Sequence, residues 1–350
     1  MNTPLPSDNL SPPRRTRRSR SPRTKPTILD VARRANVSAA TVSYALNGRT
    51  QELTQATVDR VLAAARELGY VKNLAAAALS GKKTRLIAVV FPTMNQNDQS
   101  GDVNPFYGEF IFRLEHAARK KGYGLCIYGG TNDEATEFLL QRGAETAILV
   151  GATNWTPPES LALNDVHCIL YDTLDDTSPL SQVRTNEIKG GYLAAERLID
   201  LRRPRMLFLG DVQPAASKDV VSLRYHGART ACSMAEIDPL PHHSVTATYD
   251  GGFHAAEAVI AAEVQGVVTA ADIVAAGLID GLQERGIRVP EDITVVGYDN
   301  LPIARVVRPR LTTIDQGLAE KVQAIMTLID SRAHGEMHII DPKIVLRESA

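Results

Sequence analysis

Residues 27–70 read TILDVARRANVSAATVSYALNGRTQELTQATVDRVLAAARELGY, and this stretch decides the first part of the fold. Ile28, Val31, Ala32 and Ala35 recur at the i, i+3, i+4, i+7 spacing of one helix face, with Thr27 placed as a cap and Asp30 near the positive end of the helix dipole. Asn36-Val37 marks a tight turn, and Ser38 caps a second short helix over 39–46 that buries Val42, Ala45 and Leu46 and stops at Gly48. Thr54 caps a third helix running to Leu68. Its expected inner face is Val58, Val61, Leu62, Ala65 and Leu68, with Leu53 as a hydrophobic staple on Val58. Two short helices across a three- or four-residue turn, braced by a third, form a helix-turn-helix, the unit that lays its second helix in the major groove of DNA.

Outward from this stretch, the chain has 350 residues, more than one compact core holds, so two or more domains are expected. Hydrophobic and charged fractions of 44% and 23% exclude a mainly disordered, collagenous or coiled-coil chain. The formal net charge of -1 hides a division: residues 1–84 carry 15 Lys+Arg against 5 Asp+Glu, and the remainder 24 against 35. A basic end on an otherwise acidic chain is the footprint of a polyanion partner. Residues 1–25, with Arg14, Arg15, Arg17, Arg18, Arg20, Arg23 and Lys25 among Pro and Ser, read as a disordered basic arm, either touching DNA phosphates or simply solvated. No run approaches the ~18 apolar residues of a membrane span, and no apolar segment follows the arginines as a secretory signal requires. A cytoplasmic location without membrane contact follows as an expectation. Cys126, Cys168 and Cys232 are few and odd in number, which suits reduced, buried thiols.

From Arg85 onward, short apolar runs at 86–91, 124–128, 147–150, 168–171, 206–209, 267–268 and 293–296 alternate with amphipathic stretches at 107–121, 187–200, 252–262 and 271–285. Alternation of this kind predicts parallel sheets covered by helices, and the length suits two of them. Between the halves, residues 73–80 form an Ala-rich segment of about two turns, marginal as a helix on its own.

The runs at 27–32, 37–43, 46–48 and 68–70 together resemble the headpiece of the lactose-repressor (LacI/GalR) family of bacterial transcription factors. Residues 286–292, 296–300 and 309–314 resemble that family's core. The resemblance covers about 27–350. It implies a two-lobed core like a periplasmic binding protein, with three crossovers between lobes, and a hinge helix that orders on operator DNA and drives a leucine, here Leu79, into the minor groove. The family usually has proline where Lys72 stands. The expected fold is therefore α/β: a basic arm (1–25), an all-α headpiece (26–71), a hinge (72–84), a first lobe (85–184 and 291–318) and a second lobe (185–290 and 319–350).

The expected DNA-contacting set is Thr27, Ser38, Ala39, Ala40, Thr41, Ser43, Tyr44 and Asn47 in the headpiece, with Asn73, Ala76 and Leu79 in the hinge. Ala39, Ala40, Ser43, Tyr44 and Asn47 should point outward. Many relatives have arginine at the Tyr44 position, and a phenol cannot reproduce the bidentate grip of a guanidinium on guanine, so a guanine preference does not carry over. The alanines offer methyl contacts to thymine or merely fit the groove.

No phosphate-binding loop, dinucleotide glycine motif, His-Glu-x-x-His helix or Gly-x-Ser-x-Gly elbow occurs, so neither cofactor nor metal is expected and nothing argues for an enzyme. A ligand cleft is expected where open α/β sheets hold one, outside the carboxyl ends of strands. Asp172 and Asp272 follow strands and Arg224 opens a helical stretch; by resemblance these positions contact the effector, a sugar or nucleoside. Phe106, Tyr107 and Tyr249 match positions where aromatic rings stack on it. Equally, the aspartates fit helix caps, Arg224 an internal ion pair, and the rings a core. The whole reads as a homodimeric, ligand-responsive regulator, a repressor, that binds a near-palindromic double-stranded operator. A solute-binding protein of a transport system is the rival reading, since the core would be shared.

Overall fold

The computed structural model describes residues 26–46, 53–70, 84–91, 104–151, 157–213, 219–237 and 240–350. The basic arm, Asn47 and the hinge residues Asn73, Ala76 and Leu79 lie outside the described residues. The chain divides into two compact units, Met1–Leu74 and Ala75–Ala350.

In the first unit, α1 (Ile28–Ala35), α2 (Ala39–Leu46) and α3 (Gln55–Leu68) enclose Val31, Ala32, Ala35, Val42, Ala45, Val61, Ala64 and Ala65. Thr27 and Asp30 form a full capping box, the Thr27 amide donating to Asp30 Oδ2 at 2.8 Å. Asn36, at φ 52°, turns the chain with the Val37 amide donating to the Ala32 carbonyl at 3.0 Å. Ser38 Oγ then accepts from the Thr41 amide at 3.1 Å, starting α2. Leu53 packs on this core. Leu62 is a correction: it is 38% exposed and Ala64 is buried instead. The buried stripe centres on Val61, Ala65 and Leu68, and Leu62 falls about 100° of helix rotation away from it.

Among its described residues the second unit holds two six-stranded sheets. The first comprises β1 (Leu86–Phe91), β2 (Gly124–Gly129), β3 (Thr146–Val150), β4 (His167–Tyr171), β5 (Ser181–Thr185) and β11 (Met337–Ile340), in the order β11-β5-β4-β3-β1-β2, every pair parallel. The second comprises β6 (Met206–Leu209), β7 (His242–His243), β8 (Gly266–Thr269), β9 (Thr294–Asp299), β10 (Thr312–Asp315) and β12 (Lys343–Val345), in the order β12-β10-β9-β8-β6-β7, with only β12 antiparallel. β3, β4, β6, β8 and β9 are buried at every residue, as apolar strands covered on both faces must be.

Helices α4 (Pro105–Lys120), α5 (Asn132–Arg142), α6 (Glu159–Leu163) and α12 (Leu318–Ser331) serve the first lobe. Helices α7 (Glu187–Asp200), α8 (Val220–Met234), α9 (Tyr249–Ala261), α10 (Asp272–Glu284) and the short α11 (Ile303–Val306) belong with the second. The chain crosses between sheets after β5, after β10 and after β11, three times in all.

The expected lobe boundaries need correction after residue 290. β9 and β10 lie in the second sheet, not the first, and α12 and β11 lie in the first, not the second. The physical reason is the β8-α10-β9 unit, a single crossover that returns β9 beside β8, with Gly266 opposite Thr294. α12 instead presents Leu318, Val322, Ile325 and Ile329 to α4 and Ile169 in the first core.

Candidate functional site

On α2 the outward side chains form the candidate nucleic-acid interface. Ala40 is exposed and Tyr44 is 42% exposed, while Ala39 half-buries against the headpiece core. Ser38 and Thr41 are hydrogen-bonded to each other at 2.9 Å, and the Thr27 hydroxyl donates to Asp30 at 2.7 Å. These three therefore set helix geometry first, and among the described residues of α2 itself Ala40 and Tyr44 are the exposed members of the expected set. Arg33 and Arg34 on α1 pair with Asp30 and Glu67.

The core site is built at strand ends. β4 stops at Tyr171, and Asp172 follows in the left-handed region at φ 49°. β5 leads directly into α7, whose first residue is Glu187. β9 ends at Tyr298-Asp299, with Asp299 at φ 118° and Asn300 at φ 54°. All three places lie at carboxyl ends of parallel strands, where such sheets gather ligands. Glycine brings the fourth component in: at Gly191 and Gly227, α7 and α8 touch backbone to backbone, since any Cβ would overlap the Arg224 or Ile188 carbonyl. That close crossing seats Arg224 against Glu187.

The Arg224 guanidinium donates through Nε to Glu187 Oε2 at 2.7 Å and through Nη2 to Oε1 at 3.2 Å, and its Nη1 donates to the Ala270 carbonyl at 2.7 Å. It lies 3.8 Å from the centre of the Tyr298 ring, whose hydroxyl donates to Glu187 Oε2 at 2.7 Å. Asp299 Oδ1 is 3.9 Å from Nη1 and accepts from the Gln316 amide. Gln316 in turn accepts from Lys321 Nζ at 2.9 Å, and that ammonium also donates to both oxygens of Asp172 at 3.0 and 2.9 Å. Lys321 is fully buried, with the Phe106 and Tyr171 ring centres 5.1 and 4.9 Å away. A chain of buried charges thus runs from α12 and β4 of the first lobe to α7, α8 and β9 of the second.

Burial pushes the Glu187 carboxyl up, but Arg224, Lys321 and the Tyr298 hydroxyl together outweigh it and hold the group below its usual range. Burial likewise raises Asp172 against the opposing pull of Lys321. Asp299 is pushed up to about 7 by burial, with Arg224 and Gln316 opposing. Between pH about 4 and 7 the folded chain therefore keeps a proton that the unfolded chain has released, so Asp299 makes stability fall as the pH rises through that window. Asp299→Asn is expected to remove this component, its melting temperature gaining on that of the wild type between pH 5 and 7. Parallel melting curves for the two proteins across that range would exclude a buried titration at Asp299.

The structure gathers Phe106, Tyr107, Asp172 and Arg224 around this cluster. Tyr107 has its phenol raised by burial and by Asp172. Arg224 stands there as an internal ion-pair partner, the second of the two readings open to it. Asp272 is fully buried beside the cluster, accepting from the Thr313 hydroxyl and from the Leu301 amide at 2.8 Å. Tyr249 is a correction: its hydroxyl donates to Asp280 and its ring pairs with Phe253 on the same helix. Asp280 lies eight residues along α10 from Asp272, about 12 Å at the helical rise, so Tyr249 is not brought to the cluster. Glu187, Asp299, Gln316 and Lys321 were not expected. Glu187 and Asp299 obey the same strand-end rule that selected Asp172, and Lys321 is a charge on an otherwise apolar stripe of α12.

Known proteins share the order of headpiece and core. Residues 27–73 match the lacI family of bacterial regulatory proteins, and residues 195–350 match the periplasmic binding protein-like domain. The HTH-type transcriptional repressor PurR of Vibrio vulnificus is 31% identical over 348 residues, covering 92% of this chain and 98% of that protein. The chain belongs to the LacI family of bacterial regulatory proteins. As a member of that family it is a helix-turn-helix, DNA-binding transcriptional regulator. The ribose operon repressor of Haemophilus influenzae is 27% identical, again over 92% of this chain and 98% of its own length. The lac repressor dimer bound to operator and an anti-inducer superposes with a TM-score of 0.75 at 22% identity, over 93% of this chain and 99% of that one, which shows the shared fold. Among the described residues of this LacI-family chain, no helix is long and apolar enough to cross a membrane, and no cluster of His, Cys, Asp and Glu could hold a metal ion.

Proposed function

We propose that this regulator is a homodimeric, effector-controlled repressor acting in the cytoplasm, without catalytic activity. Two headpieces engage the half-sites of a near-palindromic operator through Thr27, Ser38, Ala39, Ala40, Thr41, Ser43, Tyr44 and Asn47. The hinge residues Asn73, Ala76 and Leu79 take the minor groove between them. A sugar or nucleoside held near Phe106, Tyr107, Asp172, Arg224 and Asp272 favours one arrangement of the lobes and so changes operator affinity. The observation that carries this reading is the buried ion network joining both lobes at their strand ends, from Lys321 and Asp172 to Asp299, Arg224 and Glu187. A ligand entering there trades against bonds that fix the lobes relative to each other, which couples binding to their arrangement. The ribose operon repressors among the relatives favour a sugar. The basic headpiece weighs against a transport-system solute-binding protein, which has no use for one.

The test is a mobility shift with DNA from upstream of the chain's own gene and with random DNA, at one fixed salt concentration, for the wild type and Leu79→Ala. An apolar wedge costs a few kcal/mol of unstacking, offset by the extra surface a bent duplex meets, so its loss should weaken operator binding much more than random-DNA binding. Equal losses on both DNAs would reduce Leu79 to a linker residue. Operator binding that no sugar or nucleoside alters would remove the effector.

A further inference from the structure

Charge is spread unevenly along the basic end of the chain. Residues 1–25 carry 7 Lys+Arg against 1 Asp+Glu, residues 71–84 carry 3 against none, and residues 26–70, the headpiece itself, carry 5 against 4. The helix-turn-helix is thus almost neutral. On α1, Arg33 pairs with Asp30 at 2.7 Å and Arg34 with Glu67 at 2.6 Å. Such exposed pairs are weak, and either guanidinium can turn to a phosphate, but its carboxylate then stays behind beside the same phosphate. The α2 helix, AATVSYAL, carries no charge at all. The amino end of α1, where helix amides and dipole would favour a phosphate, already holds the Asp30 carboxylate, which accepts from the Thr27 amide at 2.8 Å and from the Thr27 hydroxyl at 2.7 Å. Duplex DNA presents one negative charge per about 1.7 Å of its axis, and non-specific affinity for it comes almost wholly from neutralising phosphates.

We infer that residues 14–25 are a second DNA-binding element, which engages the phosphates flanking each half-site and supplies most of the electrostatic affinity without reading bases. This rests on the operator binding proposed above and adds the segment that carries its salt dependence. The segment joins the headpiece at Thr27, the N-cap of α1 and a member of the expected DNA-contacting set, so its cations start beside the duplex. Lys25 is two residues from Thr27 and Arg14 thirteen, a reach of up to about 45 Å for an extended chain. Between Arg14 and Lys25 no two successive cations are more than three residues apart. Six arginines within ten residues repel one another in free solution, and a polyanion relieves that repulsion. Each guanidinium is charged at every relevant pH, and its fork of donors matches phosphate oxygens. The near-neutral headpiece keeps the base contacts and with them the specificity.

The experiment compares the full chain with a full-length variant combining Arg14→Gln, Arg15→Gln, Arg17→Gln, Arg18→Gln, Arg20→Gln and Arg23→Gln, and with a second in which the same six arginines are changed to lysine. Binding to a duplex from upstream of the chain's own gene and to random duplex DNA is titrated from 50 to 200 mM salt. Losing six phosphate contacts should flatten the plot of log K against log salt by about 5 per chain engaged, a change of about 10³-fold in relative affinity across that range. The loss should be the same on both DNAs, so that their affinity ratio is kept, and the lysine variant should retain the wild-type slope and ratio. Thermal melts of all three proteins should superpose, because the six positions precede α1 and the headpiece core. Equal salt slopes for wild type and the glutamine variant would leave the segment solvated and overturn the inference. A loss confined to the operator, or an affinity ratio lost in the lysine variant, would make the arginines base readers and overturn it as well. A melting temperature that falls with the arginines would make them part of the folded headpiece, with the same consequence. If the wild type prefers neither DNA, operator binding fails as a reading of the chain, while the difference in slope still decides the role of the segment.

Discussion

A chain shortened to begin at Thr84 is expected to fold, to keep its ligand response by calorimetry, and to lose specific operator binding altogether. The two compact units meet in sequence at Leu74 and Ala75, and each encloses its own apolar core. Thr84 is the residue to retain: its hydroxyl donates to the Gly143 carbonyl at 2.6 Å, and the Arg85 guanidinium behind it reaches the Lys121 carbonyl at 2.6 Å. What the shortened chain lacks is the helix-turn-helix and the basic end, and with them every group that reads bases or neutralises phosphates. Specific complexes of this type are typically about 10³- to 10⁷-fold tighter than non-specific ones, so operator affinity should fall by at least ~10³-fold. A mobility shift on the operator and a thermal melt on the same preparation check both halves. Operator binding that survives in the shortened chain would displace the headpiece from its role.

The headpiece was legible because its signals are local. Thr27 with Asp30, Ser38, Thr54 and Gly69 each act within a few residues, and each caps or ends a helix where expected. Leu62 was misplaced because a 14-residue helix leaves the edge of its stripe to the packing of its neighbours. In the core the strands from β1 to β4 could be read as apolar runs, whereas β5, SQVRT, buries Ser181, Gln182 and Thr185 and carries no apolar signature. Losing β5 hid Glu187, which opens the helix immediately after it. The lobe boundaries failed for a related reason: β10, TTID, and β11, MHII, are short and mixed, so the second and third crossovers could not be placed by pattern alone. Arg224 was legible as a buried charge, but its partner lies 37 residues earlier and is selected by the glycine crossing of α7 and α8. No local period encodes such a pairing.

Arg224→Ala is the substitution within the core expected to cost most. Arg224 and Glu187 have side chains only 7% and 3% exposed, so removing the guanidinium leaves a carboxylate, the Tyr298 hydroxyl and the Ala270 carbonyl buried around an empty volume. Removing one partner of a buried pair costs about 3–5 kcal/mol, whereas replacing both by uncharged groups of similar size is often near neutral. For a domain of this size that single loss corresponds to a fall in melting temperature of roughly 6–20 °C. The double variant Arg224→Met with Glu187→Gln should recover most of it, because no charge then remains to be solvated. The pH dependence separates this from simple cavity formation. The Glu187 carboxyl is held below its usual range in the folded chain, so its contribution is present above the unfolded carboxyl's titration near pH 4.5 and is lost as the pH falls below it. The gap between wild type and Arg224→Ala should accordingly narrow in acid, where the unpaired carboxyl of the variant takes up a proton and ceases to be a buried charge. A gap that stays constant from pH 7 to pH 4, or a double variant as unstable as the single, would mean that Arg224 acts through packing on Tyr298 and not through Glu187.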